Sequence, residues 1–140
     1  MVYFQEINVG QEVPPLQRRI TLPAMIAYAG STWDFHRYHY DTDFAKALGH
    51  PAPFVDAQML GALLAKQVMD WAGPDAFLRR LSFRRQAMVY PEERITCLAT
   101  VTETKVEGGF NLVVLSLKMV NEDGREVVSP ASAVVDIPSR

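Results

Sequence analysis

With 140 residues and 49% hydrophobic side chains, the chain suits one domain spanning 1–140 and is too apolar for a disordered segment. A net charge of -2 and a pI near 5.9 argue against a nucleic-acid binder that depends on a broad basic face. The lone Cys97 excludes an internal disulfide and a multi-cysteine metal knot, and the lack of a signal-type or bilayer-length apolar run predicts a cytoplasmic protein without a membrane segment.

The chain opens as an irregular arm punctuated by Val9-Gly10-Gln11 and Pro14-Pro15, followed by a short strand over residues 17–20. Thr21 is an eligible cap for a helix from Leu22, with Pro23 tolerated in its first turn. Met25, Ile26 and Ala29 keep helical spacing until Gly30-Ser31-Thr32 weakens it. Residues 33–40 then read as a loop dense in aromatic and titratable groups. A helical turn over 41–48 follows, broken by residues 49–53.

The next segment is the most informative structurally. Residues 57–65 carry no charge, and Met59, Leu60, Leu63, Leu64 and Val68 cover every side of a helix, which predicts a helix buried all round. Asp56 is its eligible cap and Gly73-Pro74 its stop. Residues 77–85, 94–106, 110–120 and 127–137 are rich in β-branched side chains and read as strands. Glu107-Gly108-Gly109 and Glu122-Asp123-Gly124 are hairpin turns between them. One long buried helix followed by strands joined by hairpins predicts an α+β chain of hot dog architecture, an antiparallel β-sheet wrapped around a central helix. Such a unit leaves a sheet edge uncovered, so a homodimer or larger oligomer is expected, with a heteromer as the alternative.

The chemistry concentrates in Asp34-Phe-His-Arg-Tyr-His39-Tyr-Asp41. A loop can bring Asp34 and His39 to opposite sides of one water. The carboxylate then takes a proton while the imidazole orients the water or supplies a proton elsewhere. The structural alternative is that Asp34 caps backbone and His39 packs under the loop.

At these residues the sequence resembles the MaoC-like family of (R)-specific enoyl-CoA hydratases and acyl dehydratases. Its motif is a small-residue helix end, then Asp, any residue, Asn, Pro, an aliphatic residue, His, and a small residue six positions on. Asp34 and His39 fall on the two catalytic positions and Ala45 on the small one. Ile7-Asn8-Val9-Gly10-Gln11, Ile20-Thr21-Leu22 and Tyr28-Ala29-Gly30 also look like the family. The Asn-Pro pair is replaced by His36-Arg37, the His-Gly before the central helix by Ala57-Gln58, and a later Gly-Asp by Glu92-Glu93. With Asp70-Trp71-Ala72-Gly73-Pro74 and Phe83-Arg84-Arg85, these departures are similar to the branch holding small subunits of steroid side-chain hydratases.

The resemblance implies hydration of a 2-enoyl thioester or dehydration of a 3-hydroxyacyl thioester, carried by coenzyme A or an acyl carrier protein. No redox cofactor or metal is required. Asp34 is expected as base toward water and His39 as positioner and relay to the α-carbon, with the two roles exchangeable. It also implies an oxyanion donor at the start of the central helix, the Gln58 backbone N–H, with that of Ala57 as the alternative. Arg84 and Arg85, with Arg79 and Arg80 nearby, are expected either to meet coenzyme A phosphates or to form a solvated strand face. Gly61, Ala62 and Ala65 suit an acyl tunnel or close helix-to-sheet packing. A metal set of His36 and His39 with Asp34 and Asp41 is weighed and set aside, because it lacks a helical His-Glu-x-x-His frame. His50 reads as a loop histidine and Cys97 as a core residue. A thioesterase using Asp56 and a non-catalytic acyl-binding subunit are the rival functions.

Overall fold

Helix α3, Ala57–Ala72, is the axis around which the rest of the chain is arranged. Leu60, Leu64, Val68 and Ala72, spaced by four, are completely buried, and the helix touches every strand. Gln58, Ala62, Lys66 and Asp70, also spaced by four, are exposed. The expectation of a helix buried all round is therefore corrected. The sheet covers the side carrying Leu60, Leu64, Val68 and Ala72, and the side carrying Gln58, Ala62, Lys66 and Asp70 is left open. The computed structural model describes residues 2–140.

Five strands form one sheet in the order β1-β3-β4-β5-β2: β1 Glu12–Arg19, β2 Phe77–Arg85, β3 Arg94–Glu107, β4 Phe110–Asn121 and β5 Glu126–Asp136. Every pairing is antiparallel. Alternate residues of β3, namely Ile95, Cys97, Ala99 and Val101, point into the core, and Met119, Leu117 and Leu115 of β4 stand opposite the last three. Both predicted hairpin turns form, with Gly108, Gly109 and Gly124 at positive φ, where a side chain would be strained. A five-stranded antiparallel sheet around one long helix is the hot dog fold.

Strand β1 begins at Glu12, earlier than residues 17–20, and runs through Pro14-Pro15. Proline is tolerated because β1 is an edge strand whose register shifts between Val13 and Leu16. The two prolines supply no N–H, and the buried amide of Gln67 on α3 replaces them, donating to Pro14 O at 3.1 Å and Cys97 O at 3.0 Å. Gly61 serves close packing. A Cβ there would collide with the Phe83 ring of β2, so the helix and that strand meet at van der Waals distance.

Candidate active site

Helix α1, Leu22–Thr32, is capped by Thr21 and ends where Trp33 takes the left-handed conformation, φ 58 and ψ 27. That conformation is uncommon for an aromatic residue. It folds the chain back over the helix end, with the Asp34 N–H donating to Ala29 O at 3.0 Å. Asp34 Oδ1 accepts from the His36 N–H at 3.4 Å, which tightens the next turn. A 3-10 turn, Arg37–His39, then delivers His39 to the mouth of α3.

His39 is buried, and its Nδ1 lies 2.8 Å from Phe54 O. A carbonyl only accepts, so Nδ1 carries the proton in the neutral ring and the Nε2 lone pair faces outward from that anchor. On that side Nε2 meets Asp56 Oδ2 at 4.0 Å. Asp34, His39 and Asp56 each place one ligand-type atom within 4.8 Å of the other two. That separation suits one water hydrogen-bonded to both Asp34 and His39. The cleft beside them is lined by Met25, Tyr28, Ala29, His39, Asp56 and Met59 and is narrower than a water molecule in this conformation. The Tyr28 phenol is pushed above its usual range, first by burial and then by the charges of Asp56 and Asp34. Two carboxylates and one imidazole thus act on the same small volume.

The expectation for Gln58 needs correction. Its N–H donates to Asp56 Oδ1 at 2.8 Å, because an aspartate at the cap takes the nearest unpaired amide of the first turn. Ala57, the first helical residue, has no partner four residues back within α3.

A family model described as a MaoC like domain matches residues 5–122. The chain belongs to the MaoC-like dehydratase family. A curated relative in Mycobacterium tuberculosis, the 3-oxo-4,17-pregnadiene-20-carboxyl-CoA hydratase beta subunit, is 31% identical over 94 residues, 67% of this chain and 73% of that protein. A chain of the ChsH1-ChsH2 complex from the same organism superimposes with a TM-score of 0.82 at 28% identity, over 93% of this chain and 98% of the other. The (R)-hydratase from A. caviae involved in PHA biosynthesis has a TM-score of 0.85 at 23% identity, over 96% and 99% of the two chains. At that identity the likeness speaks for the fold alone.

Within this MaoC-like frame the remaining titratable residues separate clearly. The His-x-x-His set does not assemble. His36 is exposed and stacks on Tyr38 at 3.8 Å, while its ring centre lies 6.5 Å from that of His39. Asp41 caps helix α2, Thr42–Ala47, through the Phe44 N–H, and Arg37 bonds its other oxygen at 2.8 Å. These two contacts, the backbone one first, hold its carboxyl below the usual range. His50 faces the Tyr90 hydroxyl at 3.4 Å.

Arg79 lies over Phe110 at 3.5 Å and faces Asp136 at 3.9 Å. Arg80 and Arg84 are exposed. Arg85 is half-buried with its guanidinium 5.9 Å from the Phe54 ring, which places it beside the residue that anchors His39. Cys97 is buried, as expected, and burial pushes its thiol up to about 12 against a smaller opposing pull from Arg18. Asp56 is the member of the cluster that the sequence signals as a helix cap and as the acid of a rival thioesterase, not as a neighbour of His39. Nothing in its spacing from His39, 17 positions away, announces their contact.

Proposed function

We propose that this chain is an acyl-thioester hydratase/dehydratase, adding water to a 2-enoyl thioester or removing it from a 3-hydroxyacyl thioester, with Asp34 and His39 as its acid/base pair. One observation carries the reading: the carboxylate and the imidazole converge within the span of one water, and the imidazole is anchored through Nδ1 so that Nε2 is its accepting side.

In the hydration direction, the water donates one O–H to Asp34 and the other to His39 Nε2. Its oxygen bonds to the β-carbon as the α,β double bond opens, and the electron pair moves through the α-carbon to the thioester oxygen. Nε2 takes the proton from the attacking water and returns it to the α-carbon, restoring the carbonyl and the neutral ring. Of the two exchangeable roles, this tautomer favours His39 as the proton carrier and Asp34 as the group that orients the water. The enolate oxygen is received by the Ala57 N–H and the positive end of α3. Arg85 at the rim, with Arg84 beyond it, is proposed to meet the phosphates of coenzyme A.

The steroid-derived coenzyme A thioester named for the Mycobacterium relative makes a polycyclic acyl group the first to try. That relative is named as a beta subunit, and a similar chain is found in a two-component complex, so we propose assembly with a second MaoC-like chain as the alternative to a homodimer.

A panel of short, long, aromatic and steroidal 2-enoyl-CoA thioesters, read by loss of enone absorbance, tests the activity. Hydration without thiol release is the expected result. Thiol release points to a thioesterase, and acyl-CoA binding without turnover, alone or with a partner chain, to a non-catalytic subunit.

A further inference from the structure

The site holds a second carboxylate that the hydration chemistry above does not use. Asp56 is pinned at one oxygen by the Gln58 N–H and presents the other to His39 Nε2 at 4.0 Å. Its side chain is 12% exposed and that of His39 is 9%, so both sit out of bulk water, where charges act on one another strongly.

His39 becomes a cation when Nε2 accepts a proton. The Phe54 and Tyr38 rings pack against it in T-shaped pairs at 5.2 and 4.6 Å, and neither carries a formal charge to balance it. A buried cation without a carboxylate is costly. Asp34 stands farther from the ring than Asp56, and its carboxylate has the water to orient and the His36 N–H to accept. Asp56 has no such conflict. Its hydrogen bond at the helix N-terminus fixes its position, so it stabilises the imidazolium without having to move, in the manner of a preorganised charge.

We propose that Asp56 is a positioning residue of the active site, a fixed counter-ion that stabilises the protonated form of His39 while also capping α3. This rests on the hydratase reading for its role in turnover, but the contact with His39 can be tested without it. The titratable groups around His39 are Asp34 from the loop after α1, Asp56 from the start of α3, Tyr28 from α1 and Tyr38 from its own turn, with His36 farther off. Of these, only the two aspartates are negative at neutral pH, and only Asp56 is held by a helix terminus.

Two variants separate charge from cap. Asp56→Asn keeps an oxygen for the Gln58 N–H and removes the charge, whereas Asp56→Ala removes both. The proposal expects Asp56→Asn to melt with the wild type, to lose about tenfold in kcat, and to show KM unchanged or lower, since a negative group has left the oxyanion end. Asp56→Ala should match that loss and also melt earlier. Independently of turnover, 15N imidazole spectra at a fixed mildly acidic pH should show a smaller imidazolium fraction for His39 in Asp56→Asn than in the wild type. An unchanged imidazolium fraction in folded Asp56→Asn overturns the proposal whatever the rates do. If the wild type hydrates no enoyl thioester, the hydratase reading falls, and the spectra still decide the role of Asp56.

Discussion

The two ends of α3 use buried polar groups in opposite ways. Near the C-terminal end, Gln67 is 3% exposed and its amide nitrogen satisfies two carbonyls of neighbouring strands, closing a gap that Pro14-Pro15 leaves in β1. At the N-terminal end, His39 makes one firm hydrogen bond and leaves Nε2 beside Asp56, with Asp34 close by. The first arrangement consumes its donor capacity in structure. The second holds capacity back and keeps it beside two carboxylates. Burial alone therefore does not distinguish scaffold from site: Gln67 leaves its Oε1 without a partner inside the core, whereas His39 leaves Nε2 beside two carboxylates.

The sharpest way to break this contrast is at Asp34 and His39. Asp34→Asn and His39→Ala should each lower kcat on the best enoyl thioester by at least about 100-fold with little change in melting temperature, the usual contribution of an acid/base group. Near-normal turnover in either folded variant removes the assignment. Gln67→Leu should do the reverse, costing about 1–3 kcal/mol in denaturant unfolding because Cys97 O and Pro14 O lose their donor, while kcat per folded molecule stays near wild type. If that variant loses activity and keeps its stability, the two ends of the helix are not functionally distinct.

Cys97 sharpens the comparison from inside the sheet. With its thiol pushed up to about 12, it should resist alkylation at pH 8 in the folded protein and react fully once denatured. Native labelling as fast as that of a free thiol would mean that β3 opens readily.

The smallest effect belongs to Asp41. Its folded carboxyl is depressed, so its contribution to stability is fully present above the unfolded value and is lost as pH falls through the folded one. The melting-temperature gap between wild type and Asp41→Ala should accordingly be widest near neutral pH and shrink in acid. A gap that does not change with pH would show that the cap works without its charge.

The strands were legible because each face of the sheet repeats every second residue, so patterns such as Ile95, Cys97, Ala99 and Val101 announce burial from local sequence. The start of β1 was not. Pro14-Pro15 reads as a break, and only the donation from Gln67, 53 positions away, lets a strand pass through it. The candidate site divides in the same way. Asp34 and His39 stand in one short segment and were visible as a pair, and the resemblance to the MaoC-like family was drawn on that spacing together with residues spread along the chain.

By itself, then, the amino-acid sequence determined the order of elements, the central helix and its stop at Gly73, the hairpins, and which two side chains to suspect. The tertiary structure alone decided that His39 is held through Nδ1 by Phe54 O, that Asp56 joins it, that His36 turns away, and that the Gln58 N–H is already taken. The physical reason is range. Periodicity, turns and caps are set by neighbours within a few residues, whereas hydrogen-bond partners and the direction of a lone pair are set by elements that meet only when α1, its following loop and the mouth of α3 pack together.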